Sequence, residues 1–253
     1  MEQNKNISST EFLNILDNHL QRNQYASAKE HALYWLSEYK NSGDLNNALL
    51  ATNELIGLSR KLGEKEETLK YVEAALGLIK EMKIEGNTGA ATTYINCATA
   101  YKAFGKAEAS IPLFEKAKEI YEKNLSPEDY RFGGLFNNMA LSFVDLKQFD
   151  KANEMYEKAL NVVGKIKNNE PEEAITHLNM ATAAEMQYGL EDGHGIIEEH
   201  LKQAMLLLDV GMLRNDGNYA FVCEKCAPAF GYYGYFYYEN ELNERARRIY
   251  EGS

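Results

Sequence analysis

The chain is poor in cysteine, in proline and in positive charge, and it lacks long apolar runs. Three cysteines in 253 residues cannot build a disulfide framework, and four prolines leave room for long helices. Lys and Arg number 27 against 38 Asp and Glu, and the net charge of −11 disfavours nucleic acid and anionic membranes as partners. No stretch approaches the roughly 18 uninterrupted apolar residues of a membrane span, and the N-terminus has no signal-sequence pattern. We therefore expect a cytoplasmic protein.

One segment recurs along the chain at a nearly constant interval. It reads NCATAYKAFG at 96–105, NMALSFVDLK at 138–147 and NMATAAEMQY at 179–188. The step from Asn96 to Asn138 is 42 residues and the step from Asn138 to Asn179 is 41. Self-similarity at such a period is typical of stacked helix hairpins, which hold other molecules on an extended surface.

The third copy of the repeat resembles the tetratricopeptide (TPR) family most closely. With Gly133 as position 1, the places that characterise the family hold Phe136, Met139, Ala140, Phe143, Phe149, Ala152, Tyr156, Ala159 and Leu160. The turn glycine that is usual in the family is Lys147 here. The resemblance implies an all-α fold, a right-handed α-solenoid of about six antiparallel helix hairpins that form a TPR superhelix.

The register of the repeat predicts the organisation of the chain. We expect a flexible tail at 1–7 and a single TPR-like solenoid over 8–253. Its hairpins are a leading one at 9–41 and repeats at about 44–83, 87–125, 127–168, 171–211 and 215–251. Ser126 before Pro127 predicts the start of a helix, and DGHG at 192–195 predicts a loop.

A resemblance to TPR peptide binders implies that positions 2, 5, 6, 9, 12 and 13 of each repeat face a concave binding surface. Position 6 holds Asn96, Asn138 and Asn179, and position 5 holds Asn53 and Asn137. An asparagine amide is both donor and acceptor, so it can pair with the backbone of a bound peptide. The surface residues predicted to tune side-chain preference are Thr92, Thr99, Lys102, Thr182, Glu185, Glu224 and Lys225. Alternatively, the asparagine side chains bond within the repeat array or face water.

The residues that suggest chemistry fit packing better. Cys223 and Cys226 have the spacing of half a zinc site, but both fall on core-facing repeat positions, and no second pair follows. The five histidines share no ligand spacing, and no catalytic motif is present. We predict no enzymatic activity, no cofactor and no metal.

The last repeat is unusually rich in tyrosine. Four of these tyrosines are predicted interface residues, namely Tyr232, Tyr233, Tyr235 and Tyr237. They either seal the end of the repeat array or form an interface, for example in a homodimer, because tyrosine is favoured in both places.

These observations predict a non-catalytic protein- or peptide-binding module, or scaffold, that holds an extended segment in its concave groove. One alternative is a TPR peptide-pheromone sensor that acts on a protein partner. Another is a structural protein that self-associates through its tyrosine-rich end.

Overall fold

The computed structural model describes residues 9–212 and 216–252, and these residues contain twelve helices and no strand. The helices are α1 Ser9–Gln21, α2 Tyr25–Ser42, α3 Leu45–Lys61, α4 Lys65–Met82, α5 Thr88–Ala103, α6 Ala107–Asn124, α7 Arg131–Asp145, α8 Phe149–Val163, α9 Glu170–Asp192, α10 His194–Gly211, α11 Gly217–Tyr232 and α12 Phe236–Gly252. They pack as six successive pairs, so the predicted all-α helix-hairpin fold class is confirmed. The flexible tail predicted at 1–7 lies outside the described residues.

Small side chains allow the two helices of each pair to approach closely. Ala140 of α7 and Ala159 of α8 have no exposed surface, and Tyr156 is fully buried beside them. Gly133 is the tightest point of this pair, because a Cβ there would lie 2.5 Å from Cγ1 of Val163. The alternation of small and large side chains in the repeat thus serves the packing of one helix on the next.

Two corners of the chain differ from the sequence-based expectation. Helix α7 begins at Arg131 rather than at Ser126, and the Asp129 carboxylate accepts a hydrogen bond from the Arg131 backbone N–H at 3.1 Å. The loop predicted at 192–195 is also wrong, because α9 continues to Asp192 with a kink at Gly189 and α10 begins at His194. Gly189 has φ of 80°, a conformation that favours glycine, so two helices can meet in a tight corner.

The described residues form two compact units, divided in sequence between Asn124 and Leu125. The first unit contains α1 to α6 and the second contains α7 to α12. In the second unit, α9 to α12 share a continuous apolar core that includes Leu208, Tyr219 and Phe230. The single solenoid over 8–253 stays a prediction. No helix within the described ranges is long and apolar enough to cross a membrane.

Candidate functional site

Asparagine side chains join successive first helices of the hairpins in the first unit. Asn96 of α5 donates from Nδ2 to Oδ1 of Asn53 in α3 over 3.0 Å. Asn53 in turn donates from its own Nδ2 to the hydroxyl of Thr93 at 2.9 Å and to the Leu49 carbonyl at 3.1 Å. We call Asn53 and Asn96 the first amide pair. Its position-5 member uses its whole hydrogen-bonding capacity except one oxygen lone pair.

The same arrangement recurs in the second unit. Asn179 of α9 donates from Nδ2 to Oδ1 of Asn137 in α7, again over 3.0 Å, and we call these residues the second amide pair. Thr176 precedes Asn179 by three residues, as Thr93 precedes Asn96. Among the described residues, however, the two N–H groups of Asn137 have no acceptor, whereas those of Asn53 are both engaged. The second pair therefore keeps free donors.

The position-6 asparagines also retain groups that can bind a ligand. Within the described part of the chain, Asn96 and Asn179 each keep Oδ1 and one N–H without a partner. Asn138 donates one N–H to the Gly134 carbonyl of its own helix at 2.8 Å and keeps the same two groups. Each of these side chains thus offers one donor and one acceptor, as a peptide group does.

A pocket of about 380 Å³ opens beside the second amide pair, between α7 and α9. We call it the α7–α9 pocket. Amide and hydroxyl groups on its wall belong to Asn137, Asn138, Asn169 and Thr176, and apolar surface comes from Tyr130, Val163 and Ile175. Gly133 and Gly134 contribute only backbone to this wall. Three predicted site residues, Asn137, Asn138 and Lys225, therefore meet at one cavity.

The charges at the α7–α9 pocket are balanced. Arg131 forms a two-pronged ion pair with Asp129, with Nε–Oδ1 and Nη2–Oδ2 distances of 2.8 and 2.7 Å, and this contact lowers the Asp129 pKa. Lys225 and Glu172 also line the pocket, and neither has an ion-pair partner among the described residues. Within the part of the chain that the structure describes, the pocket wall thus has one cation, Lys225, and one anion, Glu172, without an ion-pair partner.

Three further predicted groove residues lie on two helices, α5 and α9. Thr99 and Lys102 are half-buried on α5. Thr182 is exposed on α9 and donates to the Leu178 carbonyl at 3.1 Å. In the first repeat, position 6 holds Glu54, and burial, followed by the nearby Asp17 carboxylate, raises the pKa of Glu54. In the first unit, position 6 is thus a carboxyl group in one repeat and an amide in the next.

The predicted interface tyrosines mostly bond to the hairpin before them. The hydroxyls of Tyr232 and Tyr233 donate to the two oxygens of Glu185 at 2.5 and 2.8 Å. Tyr235 donates to Glu198 at 3.0 Å. Tyr237 differs, because its side chain is 85% exposed. Three of the four hydroxyls thus attach the last hairpin to its neighbour, and an interface through these residues stays a prediction.

The cysteines are buried and the histidines include one close pair. Burial raises the thiol pKa of Cys97 and of Cys226 to about 12, which makes both thiols unreactive at neutral pH. His177 of α9 and His200 of α10 approach to 3.1 Å between their Nδ1 atoms. Burial, and then His200, lowers the pKa of His177 to about 4. In the described ranges, no three His, Cys, Asp or Glu residues cluster as metal ligands would.

Sequence analysis missed two residues at this site, Thr93 and Gly134, and one contact of Glu185. Thr93 completes the first amide pair, Gly134 leaves the pocket wall open, and Glu185, a predicted groove residue, accepts hydrogen bonds from two tyrosines. Only Gly134 had a usable signal, because it occupies position 2 of a repeat whose other copies carry side chains there. Threonine and glutamate side chains have no such distinguishing pattern, since both are common on helix surfaces.

Comparison with known proteins confirms the resemblance to TPR repeats. A family model described as tetratricopeptide repeat matches residues 90–129, which contain all of α6 and nearly all of α5. No curated protein has a sequence that matches the chain. The sequence match to a TPR repeat thus covers residues 90–129, chiefly α5 and α6, and the rest of the chain is TPR-like in its fold.

Several solved structures share the fold at low sequence identity. The apo form of RapI is 16% identical with a TM-score of 0.69, over 100% of this chain and 88% of RapI. A Rap protein complexed with Competence and Sporulation Factor is 14% identical with a TM-score of 0.62, over 96% of this chain and 64% of that protein. The TPR-like repeats of a putative kinesin light chain from Podosopora anserina are 17% identical with a TM-score of 0.54, over 80% and 94% of the two chains. At these identities the likeness concerns the fold.

Proposed function

We propose that this chain of TPR-type repeats is a non-catalytic module that binds an extended peptide or protein segment. The observation that carries the proposal is the second amide pair, because Asn137 lines the α7–α9 pocket, Asn179 is hydrogen-bonded to it, and both side chains have hydrogen-bonding groups to spare. A segment without regular structure brings unpaired backbone N–H and C=O groups, which need partners of this kind.

The hydrogen bond inside the second amide pair orients both side chains. Because Asn179 donates to Oδ1 of Asn137, the Asn137 amide turns its N–H groups outward as donors for peptide carbonyls. The Asn179 oxygen remains as an acceptor for a peptide N–H, and Asn138 offers both kinds of group. Recognition would therefore read the main chain of the segment rather than its sequence.

In the first unit, Asn96 would play the part that Asn179 plays in the second. Its partner Asn53 has no N–H left for a ligand, because Thr93 and Leu49 accept both. Asn53 is then a positioning residue that holds Asn96 in place. We expect the second unit to contribute more of the binding free energy, since it has three asparagines with free groups and a cavity.

Selection of a displayed library of random peptides on the intact chain would test the proposal. Each enriched peptide would then be measured against wild type and against Asn138→Ala and Asn179→Ala. We expect each variant to weaken binding by about 2- to 13-fold, since one main-chain hydrogen bond contributes roughly 0.5–1.5 kcal/mol. N-methylation of single peptide groups in the ligand should weaken binding more than substitution of its side chains.

Asn161→Ala is the matched control, because Asn161 is exposed on α8, outside both amide pairs and the pocket. Its affinity for the enriched peptides should equal that of wild type. Equal melting temperatures for Asn138→Ala and Asn161→Ala would show that the fold is intact. Peptides that bind the two asparagine variants as tightly as wild type would refute the amide mechanism.

A peptide-regulated sensor that acts on a protein partner is the second candidate. The likeness of the fold to a Rap protein complexed with Competence and Sporulation Factor supports it. In that case an enriched peptide should change the affinity of the chain for a protein partner, because two linked binding events alter each other by the same factor. A plain scaffold would bind both without such coupling.

A further inference from the structure

Position 2 of the repeats carries a side chain everywhere except in the third repeat. The residues at this position are Leu50, Thr92, Gly134, Ile175 and Phe221. Gly134 lies inside α7, and a Cβ added there would have no heavy atom within 4 Å. Its neighbour Gly133 is different, because a Cβ at position 133 would collide with Val163. Packing therefore explains the glycine at position 133 and does not explain the glycine at position 134.

A glycine in a helix interior weakens the helix, because its backbone has more freedom to lose on folding than that of any other residue. At Gly134 nothing in the fold requires that weakness, since the backbone is helical and the space above it is empty. That space is part of the α7–α9 pocket. The missing side chain thus makes room within the binding site itself.

The surroundings of this space define what fits in it. Arg131 is neutralised by Asp129, and the free charges of Lys225 and Glu172 have opposite signs. A charged side chain would be attracted by one of them and repelled by the other while losing its hydration. Buried Val163 and Ile175 offer apolar contact to an uncharged side chain instead.

We propose that the space above Gly134 receives one uncharged, apolar side chain of the bound segment, while the neighbouring asparagines hold its main chain. This inference rests on the proposed peptide-binding function and adds a side-chain preference to it. The Asn138 side chain, which donates to the Gly134 carbonyl, stands beside the space and links the two kinds of contact. Gly134 is then a specificity-determining residue.

Nuclear magnetic resonance of the full chain provides the test. The probes are the N-acetyl amides of leucine, phenylalanine, lysine, aspartate and glycine, titrated while the Gly134 amide and the Asn137 and Asn138 side-chain amides are followed. We expect the leucine and phenylalanine probes to bind with dissociation constants on the order of 1 mM. The lysine, aspartate and glycine probes should bind at least about fivefold more weakly, which is the effect of losing roughly one buried methylene.

Two substitutions separate the pocket from the stability of the helix. Gly134→Ala should raise the melting temperature by about 2–4 °C through helix propensity, yet weaken the binding of the leucine probe by about fivefold. Gly134→Leu, which restores the side chain of the first repeat, should abolish that binding. Gly77→Ala is the control, because Gly77 is an exposed glycine of α4 with open space around it. This variant should raise the melting temperature without changing the affinity for the leucine probe.

The results that would overturn the pocket differ from those that would overturn the proposed function. Tightest binding of a charged probe, or no weakening in Gly134→Ala, contradicts the side-chain pocket even if Asn138→Ala still impairs the selected peptides. Loss of the leucine probe in Gly134→Ala supports the pocket. If the selected peptides then bind Asn138→Ala and Asn179→Ala as tightly as wild type, the main-chain mechanism is wrong while the side-chain pocket is still supported.

Discussion

Acidification should destabilise the second unit through its histidine pair, His177 and His200. Their Nδ1 atoms are 3.1 Å apart, so one ring must donate an N–H to the lone pair of the other. Burial, and then His200, lowers the pKa of His177 from 6.5 to about 4, and burial also lowers the pKa of His200. The unfolded chain therefore binds protons before the folded chain does, and stability falls as the pH drops from 6.5 towards about 4.

The size of the effect follows from the two pKa values of His177. At about pH 4.5 the imidazole is fully charged in the unfolded chain and mostly neutral in the folded chain. The free energy of unfolding is then lower by about 2.5 kcal/mol than at neutral pH, before screening is considered. Because the ring is only part-buried, solvent screening reduces this loss to about 1–2 kcal/mol. Well above pH 6.5 the pair contributes little pH dependence, since the imidazoles are then neutral in both the folded and the unfolded chain.

Urea unfolding followed by circular dichroism between about pH 7.5 and 4.5 measures this loss, with His177→Leu/His200→Leu as the comparison. Raised carboxyl pKa values elsewhere, such as that of Glu173, affect both chains equally and cancel. Fluorescence of the single tryptophan, Trp35 in α2, reports the first unit separately. If wild type and the double variant lose the same stability over this range, the histidine pair is not the cause.

Three further substitutions test the fold, each by urea unfolding. Asn53→Ala should cost about 1–3 kcal/mol because it leaves buried partners without hydrogen bonds, and a cost near zero would contradict the first amide pair. Gly133→Ala should cost about 1–3 kcal/mol because its Cβ would lie 2.5 Å from Val163, and an unchanged stability would contradict the close packing. Tyr237→Ser should change stability by less than about 0.5 kcal/mol. It should also dissolve the homodimer, if light scattering finds one, and a wild-type monomer would contradict the predicted interface.

The fold was predictable because its signal is repeated. Ala140 and Ala159 recur at matching places in other repeats, and close helix packing excludes larger residues there. Single corners carry no such redundancy. The helix start at Arg131 depends on one carboxylate, that of Asp129, and the corner at Gly189 depends on one backbone conformation. A Ser-Pro dipeptide or a glycine-rich run marks a turn without fixing where the helix resumes.

The asparagines show a deeper limit of sequence reasoning. The sequence identified Asn96, Asn138 and Asn179 as equivalent by register, but only the first and last pair with an asparagine of the preceding repeat. Asn138 instead donates to the Gly134 carbonyl within its own helix. Pairing thus depends on two positions of neighbouring repeats at once, which no single-position pattern reveals.

The choice of asparagine at these positions follows from its capacity for several hydrogen bonds. A lysine has donors only and a carboxylate has acceptors only, so neither can both pair with its own kind and bind both groups of a peptide. An amide can use one N–H to fix its orientation and still keep an N–H and an oxygen for the ligand. Fixing the orientation before binding lowers the entropy lost when the ligand arrives.

Asn137→Ala should therefore weaken peptide binding in two ways, by removing the donors of Asn137 and by freeing the Asn179 side chain to rotate. Asn137→Asp is the sharper test, because the carboxylate still accepts from Asn179 but cannot donate to a peptide carbonyl. We expect Asn137→Asp to keep the melting temperature of wild type and to bind the peptide about tenfold more weakly. A lower melting temperature together with weaker binding would show that Asn137 has a structural role alone.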